Sequence, residues 1–226
     1  MGQKQSKGAQ GESLARQLAV YEYWFKAFSE HDPQEALAKS GRLWFGMEDG
    51  KPVSAEEKKA IDKDIKDNFG EDLQKFKRGE YDEWPETAKG VTSCCILGDQ
   101  MSRNMFRGEA EAFAQDEKVR GIVKDALQHG MDVDQPFYVR TFWYMPFMHS
   151  EDLEDQKRVL EFYETQAGCL PDGWQKTQAT NGLQFAKSHH DVIERFGRFP
   201  HRNEVLGRES TPEEIEYLKT ADRWGQ

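Results

Sequence analysis

Pro136-Phe137-Tyr138-Val139-Arg140-Thr141-Phe142-Trp143-Tyr144-Met145-Pro146-Phe147-Met148 is the most apolar stretch of this chain, and everything else has to pack around it. It is far shorter than the ~20 residues of a membrane span. It shows no period-two alternation, so it reads as a central helix. On its C-terminal side, Ser150 is expected to cap the next helix, with Glu151 and Asp152 in the first turn and the end at Gly168. Residues 169–175 read as a loop and 176–194 as a helix. Thr211-Pro212-Glu213-Glu214 is a capping box with Pro in its favoured first position, opening a last helix through about Lys219.

On its N-terminal side a helix is expected over Glu109–Gln128, closed by Gly130, and another over Thr87–Met105, broken by Gly108. Tyr81, Trp84 and Pro85 mark a turn packed by aromatics. Ser54-Ala55-Glu56-Glu57 is a second capping box, and the helix behind it presents Ile61, Ile65 and Phe69 on one face. Residues 41–53, with Gly41, Gly46, Gly50 and Pro52, read as a loop. Glu12–Glu30 carries Leu14, Leu18, Tyr21, Phe25 and Phe28 close to a 3.6 period. No strand pattern is convincing. Short helices joined by short loops imply an all-α fold of stacked antiparallel helix pairs. The chain divides into a flexible leader, 1–11, and a single all-α domain, 12–226.

The 226 residues are 37% hydrophobic but 12% aromatic, and the mean hydropathy is −0.89. Such a chain packs through Trp, Phe and Tyr on amphipathic surfaces rather than through one apolar sheet. The formal net charge of −10 argues against a nucleic-acid partner, which needs a basic face. Neither a membrane span nor a secretory segment is present in the sequence. Cys94, Cys95 and Cys169 make no disulfide framework, and adjacent Cys94 and Cys95 suit neither zinc nor a redox pair. They read as small buried helix residues in an intracellular, reducing, cytoplasmic protein.

Against that acidic balance, Phe196-Gly197-Arg198-Phe199-Pro200-His201-Arg202-Asn203 through Leu206-Gly207-Arg208 forms a basic island, with Arg195 just before it. Guanidinium forks bind carboxylates and phosphates bidentately. The plain alternative is that these arginines pair with the protein's own acids. On a helix over 94–107, Asp99, Arg103 and Arg107 share a face, either as a surface ion pair or with Asp99 aiming Arg103 at a ligand. His149 follows the apolar helix, where an imidazole is either hydrogen-bonded structure or an acid/base group. His189 and His190 are adjacent and point about 100° apart on a helix, so one ion cannot readily take both, and no metal is expected. No cofactor-binding glycine loop and no nucleophile elbow occurs, so no cofactor is expected either.

Met1-Gly2-Gln3-Lys4-Gln5-Ser6-Lys7 matches the N-myristoylation pattern on Gly2. One acyl chain gives only marginal membrane binding, so the expected consequence is reversible peripheral contact or burial in a partner.

The run Asp99-Gln100-Met101-Ser102-Arg103-Asn104-Met105-Phe106-Arg107-Gly108 resembles the bacterial family called domain of unknown function 924. So do Tyr144-Met145-Pro146-Phe147-Met148-His149-Ser150-Glu151-Asp152-Leu153 with Gln156, and His189 with the stretch from Ile193 through Arg208 to Glu214. Trp44-Phe45 and the helix from Asp62 to Phe69 resemble the family's opening, and the resemblance covers roughly residues 40–220. It implies a tetratricopeptide-like all-α fold and no particular activity. The family usually reads Leu-Leu-Asp-Gln-Phe-Pro-Arg-Asn where this chain has Leu97-Gly98-Asp99-Gln100-Met101-Ser102-Arg103-Asn104. The exchange to Gly98 and the loss of Phe-Pro are expected to loosen that helix end.

The candidate pocket is drawn from 99–107, 149–151 and 189–208. Its ligand-binding groups are Asp99, Gln100, Arg103, Asn104, Arg107, His189, Arg195, Arg198, Arg202, Asn203 and Arg208. The expected function is a helical binding or scaffold protein holding an anionic group. That group is an acidic peptide or a small phosphorylated or carboxylated molecule, and a membrane-associated assembly is one setting for it. The alternative is an enzyme of hydrolase or transferase type on the same pocket, with His149, Glu151 and His201 as the catalytic candidates.

Overall fold

The computed structural model describes residues 2–221, with side chains from Gln10 onward. α1 (Gly2–Trp24) is followed by α2 (Lys26–Glu30), α3 (Pro33–Phe45), a two-stranded hairpin of β1 (Met47–Glu48) and β2 (Lys51–Pro52), and α4 (Ala55–Lys77). A short 3-10 turn at Trp84–Glu86 leads into α5 (Ala88–Cys95), a π-helical segment (Ile96–Met101) and α6 (Ser102–Met105). A second 3-10 turn at Ala110–Phe113 precedes α7 (Asp116–Gln128) and α8 (Phe137–Met148). Then come α9 (Leu153–Cys169), α10 (Trp174–Phe196), a 3-10 turn at Pro200–Arg202, and α11 (Pro212–Leu218). The fold is all-α. Tetratricopeptide-like antiparallel pairing is clearest in α9 and α10, which the connection 170–173 folds back against each other. The Gly2 acylation signal, and the leader drawn over 1–11 except Gln10 and Gly11, fall on Met1 and on residues whose side chains lie outside the described set.

The apolar stretch is the central helix. α8 buries Phe137, Val139, Phe142, Trp143, Phe147 and Met148. Phe142 meets Trp24 and Trp44 edge-on at centroid distances of 5.8 and 4.8 Å, so α1, α3 and α8 share an aromatic core. Of the buried indole donors next to it, Trp143 is satisfied by the Thr92 hydroxyl and Trp44 by the Trp24 carbonyl at 2.8–2.9 Å, while Trp24 Nε1 finds no partner among the described residues. Cys94 and Cys95 are buried on α5, as expected, and Cys169 is exposed. Among the described residues no helix is long and apolar enough to cross a membrane.

Both capping boxes form, at Ser54 with Glu57 and at Thr211 with Glu214. Other boundaries move. The loop expected over 41–53 is helical as far as Phe45, because Asp32 caps α3 through the Gln34 and Glu35 amides and Pro33 sits at its first position. The remainder is the hairpin, which turns through Asp49 (φ 49°) and Gly50 (φ 73°), the left-handed pair that a tight two-residue connection requires. The helix expected from Glu109 is α-helical only from Asp116.

Two corrections bear on the site. Asp152, not Ser150, caps α9, through the Glu154 amide at 2.8 Å. Ser150 is buried before the helix instead, donating its hydroxyl to Asp155 at 2.8 Å and accepting from the Asp152 amide at 3.2 Å. At Gly98 the helix end does widen, into the π segment, but it is packed rather than loose. A Cβ there would lie 2.6 Å from Val119 Cγ2 and 2.9 Å from Phe76 Cε1, so the missing side chain lets α4 and α7 close onto the π segment.

Candidate functional site

The π segment continues α5 into α6 with a wider turn, a deviation that recurs at functional sites. Ser102 supports it, its hydroxyl lying 2.8 Å from the Gly98 carbonyl and 3.1 Å from the carbonyls of Asp99 and Ala112. The segment carries Asp99 into the interior with no exposed surface. There the Asp99 carboxylate accepts from Gln100 Nε2 at 2.6 Å and from His149 Nδ1 at 2.8 Å, and pairs with Arg103 Nη1 at 2.9 Å. Arg103 grips Asp116 bidentately at 2.9 and 2.8 Å. Of the two alternatives, a surface pair is ruled out: Asp99, Arg103 and Asp116 form a buried chain of alternating charge. Burial alone would raise the Asp99 carboxyl, but Arg103 and then His149 outweigh it and hold it well below the usual range.

His149 is the C-cap of α8. Gln156, fully buried on α9, fixes the turn after it by donating to the carbonyls of Met148 and Ser150 at 2.8 and 2.7 Å. Burial, and then Arg103, lowers the His149 pKa against the opposing pull of Asp99, so the ring is neutral at pH 7. Because a carboxylate only accepts, Nδ1 carries the proton. Nε2 is then the lone-pair nitrogen, on the ring edge away from Asp99. The His149 side chain keeps 16% of its surface and lines a cleft of about 470 Å³.

The cleft lies between the start of α7, the turn joining α8 to α9, and the 3-10 turn at Pro200–Arg202. Arg202 and His149 line it together with Phe113, Asp116, Arg120 and Leu206. Arg202 is 5% exposed, donates Nη1 to the His149 carbonyl at 2.9 Å, and lies over the rings of Phe199 and Phe113 at 4.4 and 4.7 Å. Its Nε has no hydrogen-bond partner, and among the described residues it forms no ion pair. Burial, and then Arg103, brings its pKa down to about 10. His189 sits behind it, Nδ1 at 2.8 Å from the Phe185 carbonyl, and burial lowers it to about 3.

The other candidates are placed elsewhere. Asn104 and Arg107 reach back to Asp62 on α4, at 2.8 Å each. Arg195 pairs with Glu213 at the surface. Arg198 takes Glu214 bidentately at 2.7 and 2.8 Å, and Asn203 joins Glu214 and Ser210 at 3.3 and 3.0 Å. Arg208 grips Glu151 at 2.6 and 2.9 Å, while Glu151 also accepts from the Phe199 amide at 2.8 Å. Glu151 therefore lines the cleft, but with its carboxylate held by Arg208 and the Phe199 amide. His201 is half-buried beside Phe199, the ring centroids 5.5 Å apart. His189 points inward and His190 outward, where His190, Asp191 and Glu194 bring ligand atoms within 4.8 Å of one another at the surface. Asp116, Arg120 and Phe113 belong to the site without having been singled out in the sequence. Their local signature, two acids in a first helical turn, is that of ordinary helix chemistry.

A family model described as a bacterial protein of unknown function (DUF924) matches residues 20–222. A solved structure of a protein of unknown function from Agrobacterium tumefaciens is similar, with 32% identity and a TM-score of 0.70, covering 92% of this chain and 99% of that one. No curated protein matches the chain.

Proposed function

The chain belongs to the bacterial DUF924 family of unknown function, and from that premise we propose that the cleft at the α8–α9 turn binds a small carboxylated or phosphorylated molecule, or the acidic end of a peptide. The observation that carries this reading is Arg202, a buried guanidinium without a carboxylate partner, opening on a cleft shared with a neutral imidazole. A buried unpaired charge is costly, and a ligand anion would offset that cost. A guanidinium that no carboxylate of its own chain engages suits an oxyanion. Calorimetric titration of the full chain with acetate and with inorganic phosphate tests it. Saturable binding that Arg202→Met removes supports the reading, and heat of binding unchanged in Arg202→Met sinks it.

The Asp99–His149 contact favours a second reading, in which the cleft is the active site of a hydrolase or transferase. Asp99 would orient His149 and Arg202 would stabilise developing negative charge. Its test is turnover of carboxylate and phosphate esters that disappears in His149→Gln while anion binding persists. Scaffolding of a protein partner and membrane contact through acylated Gly2 remain compatible with either reading. The intact mass of natively purified protein tests the acylation.

A further inference from the structure

We infer that the cleft selects amphoteric ligands, molecules carrying one carboxylate and, a few methylenes away, one ammonium group. The inference rests on the anion-binding reading of Arg202 and adds the ligand class. It follows from the way charge is laid out from floor to rim.

On the floor nearly every charge is already matched. Asp99 and Asp116 share Arg103. Glu151 holds Arg208. Asp155 is met by Lys124 at 2.7 Å and by Arg120 at 3.4 Å. Arg202 is left over, and Asp116, Glu151 and Asp99 already surround it at longer range. One ligand charge completes that balance. A second negative charge would be driven against the same three carboxylates in a poorly solvated site. The floor therefore favours a monocarboxylate over a phosphate dianion.

At the rim the sign reverses. Glu117 and Asp152 both line the cleft and are exposed, and neither forms an ion pair among the described residues. The Asp152 carboxylate accepts from the Glu154 amide it caps, through Oδ1, and among the described residues its other oxygen meets no donor. Two carboxylates without a cation, above a floor that takes one anion, are complementary to a positive group held outward. Phe113 and the exposed side chain of Leu206 line the same cleft, apolar surface on which a methylene spacer packs.

The experiment is a calorimetric series on the full chain. ω-Amino acids from glycine to 6-aminohexanoate are compared with the unaminated carboxylates of the same lengths and with inorganic phosphate. One amino acid length should bind about tenfold tighter than its carboxylate counterpart, the increment of two exposed ion pairs. Glu117→Gln with Asp152→Asn should remove that increment and leave carboxylate binding intact, because Asn still caps α9 and Gln replaces an exposed side chain. Arg202→Met should remove both. Equal affinity for amino acid and carboxylate at every length, or tighter binding of phosphate, overturns the amphoteric selection while the anion site stands. Failure of every probe to bind overturns both readings together.

Discussion

Arg198 and Arg202 come from one basic stretch, a single helical turn apart in sequence, and end in opposite circumstances. Arg198 faces α11, where Glu214 takes its fork with two hydrogen bonds and Asn203 and Thr211 complete the carboxylate's shell. That region is a clamp: every strong donor has its acceptor, and it ties the C-terminal helix to the end of α10. Arg202 faces inward and meets aromatic rings, a backbone carbonyl and a neutral histidine. That region is a cleft with a charge to spare. Composition is the same on both sides, so arginine content marks neither a site nor a scaffold. What separates them is whether a carboxylate of the same chain reaches the fork.

The contrast can be broken first at Asp99. Asp99→Ala leaves Arg103 and His149 without their common acceptor in a buried place, and the expected loss is about 3–5 kcal/mol in denaturant unfolding. A loss below about 1 kcal/mol would mean that the buried chain contributes little to stability.

The two regions should also separate by pH. His149 and His189 are depressed below the ~6.5 of an unfolded histidine. The unfolded chain therefore takes up their protons first, so their contribution is complete above about pH 6.5 and is lost as pH falls. With His189 near 3, the loss by pH 5 is about 2 kcal/mol from that ring alone. Glu214, lowered to about 2 first by its hydrogen bond to Arg198, keeps its contribution above about pH 4.5 and loses it only towards pH 2. Melting temperature from pH 7.5 to 5 should fall for the native chain and fall less for His189→Gln. An identical slope in the two would place the pH sensitivity outside the cleft.

The smallest effect is the sharpest. Arg198→Ala should lower the melting temperature and leave anion binding unchanged, since the bidentate pair with Glu214 is lost and Arg198 does not line the cleft. Arg202→Met should change stability by no more than about 0.5 kcal/mol, because the buried charge it removes has no ion pair to lose, and should abolish binding. If both variants lose stability alike and neither affects binding, Arg202 is a second bolt and the cleft has no anion anchor.

Much of the fold is legible in the residues. The apolar run 136–148, the capping boxes at Ser54 and Thr211 and the buried cysteine pair are local signals, carried by side chains and backbone amides within a few positions of each other. The Asp32-Pro33 start of α3 is equally local, a capping side chain followed by proline at the first helical position. The π segment has no such signature. It exists because Gly98 admits Phe76 and Val119 from two other helices.

The site divides in the same way. Asp99, Arg103, His149 and Arg202 stand out by residue type, and their families of neighbours in sequence are suggestive. Arg107, Arg195, Arg198 and Arg208 look no different, and their partners Asp62, Glu213, Glu214 and Glu151 come from other elements. Pairing across the fold is a matter of which acid the chain brings within three ångströms, and spacing along the chain does not encode it.

By itself, the sequence determined an all-α protein, the helix starts at Ser54 and Thr211, its central apolar helix and a pool of arginines, histidines and acids from which any polar site must be drawn. The tertiary structure alone decided which of those charges cancel and which, like Arg202, form no ion pair among the described residues. Ion pairing depends on distance and burial, and both are settled only when α4, α7, α9 and α11 pack against the segments that carry the arginines.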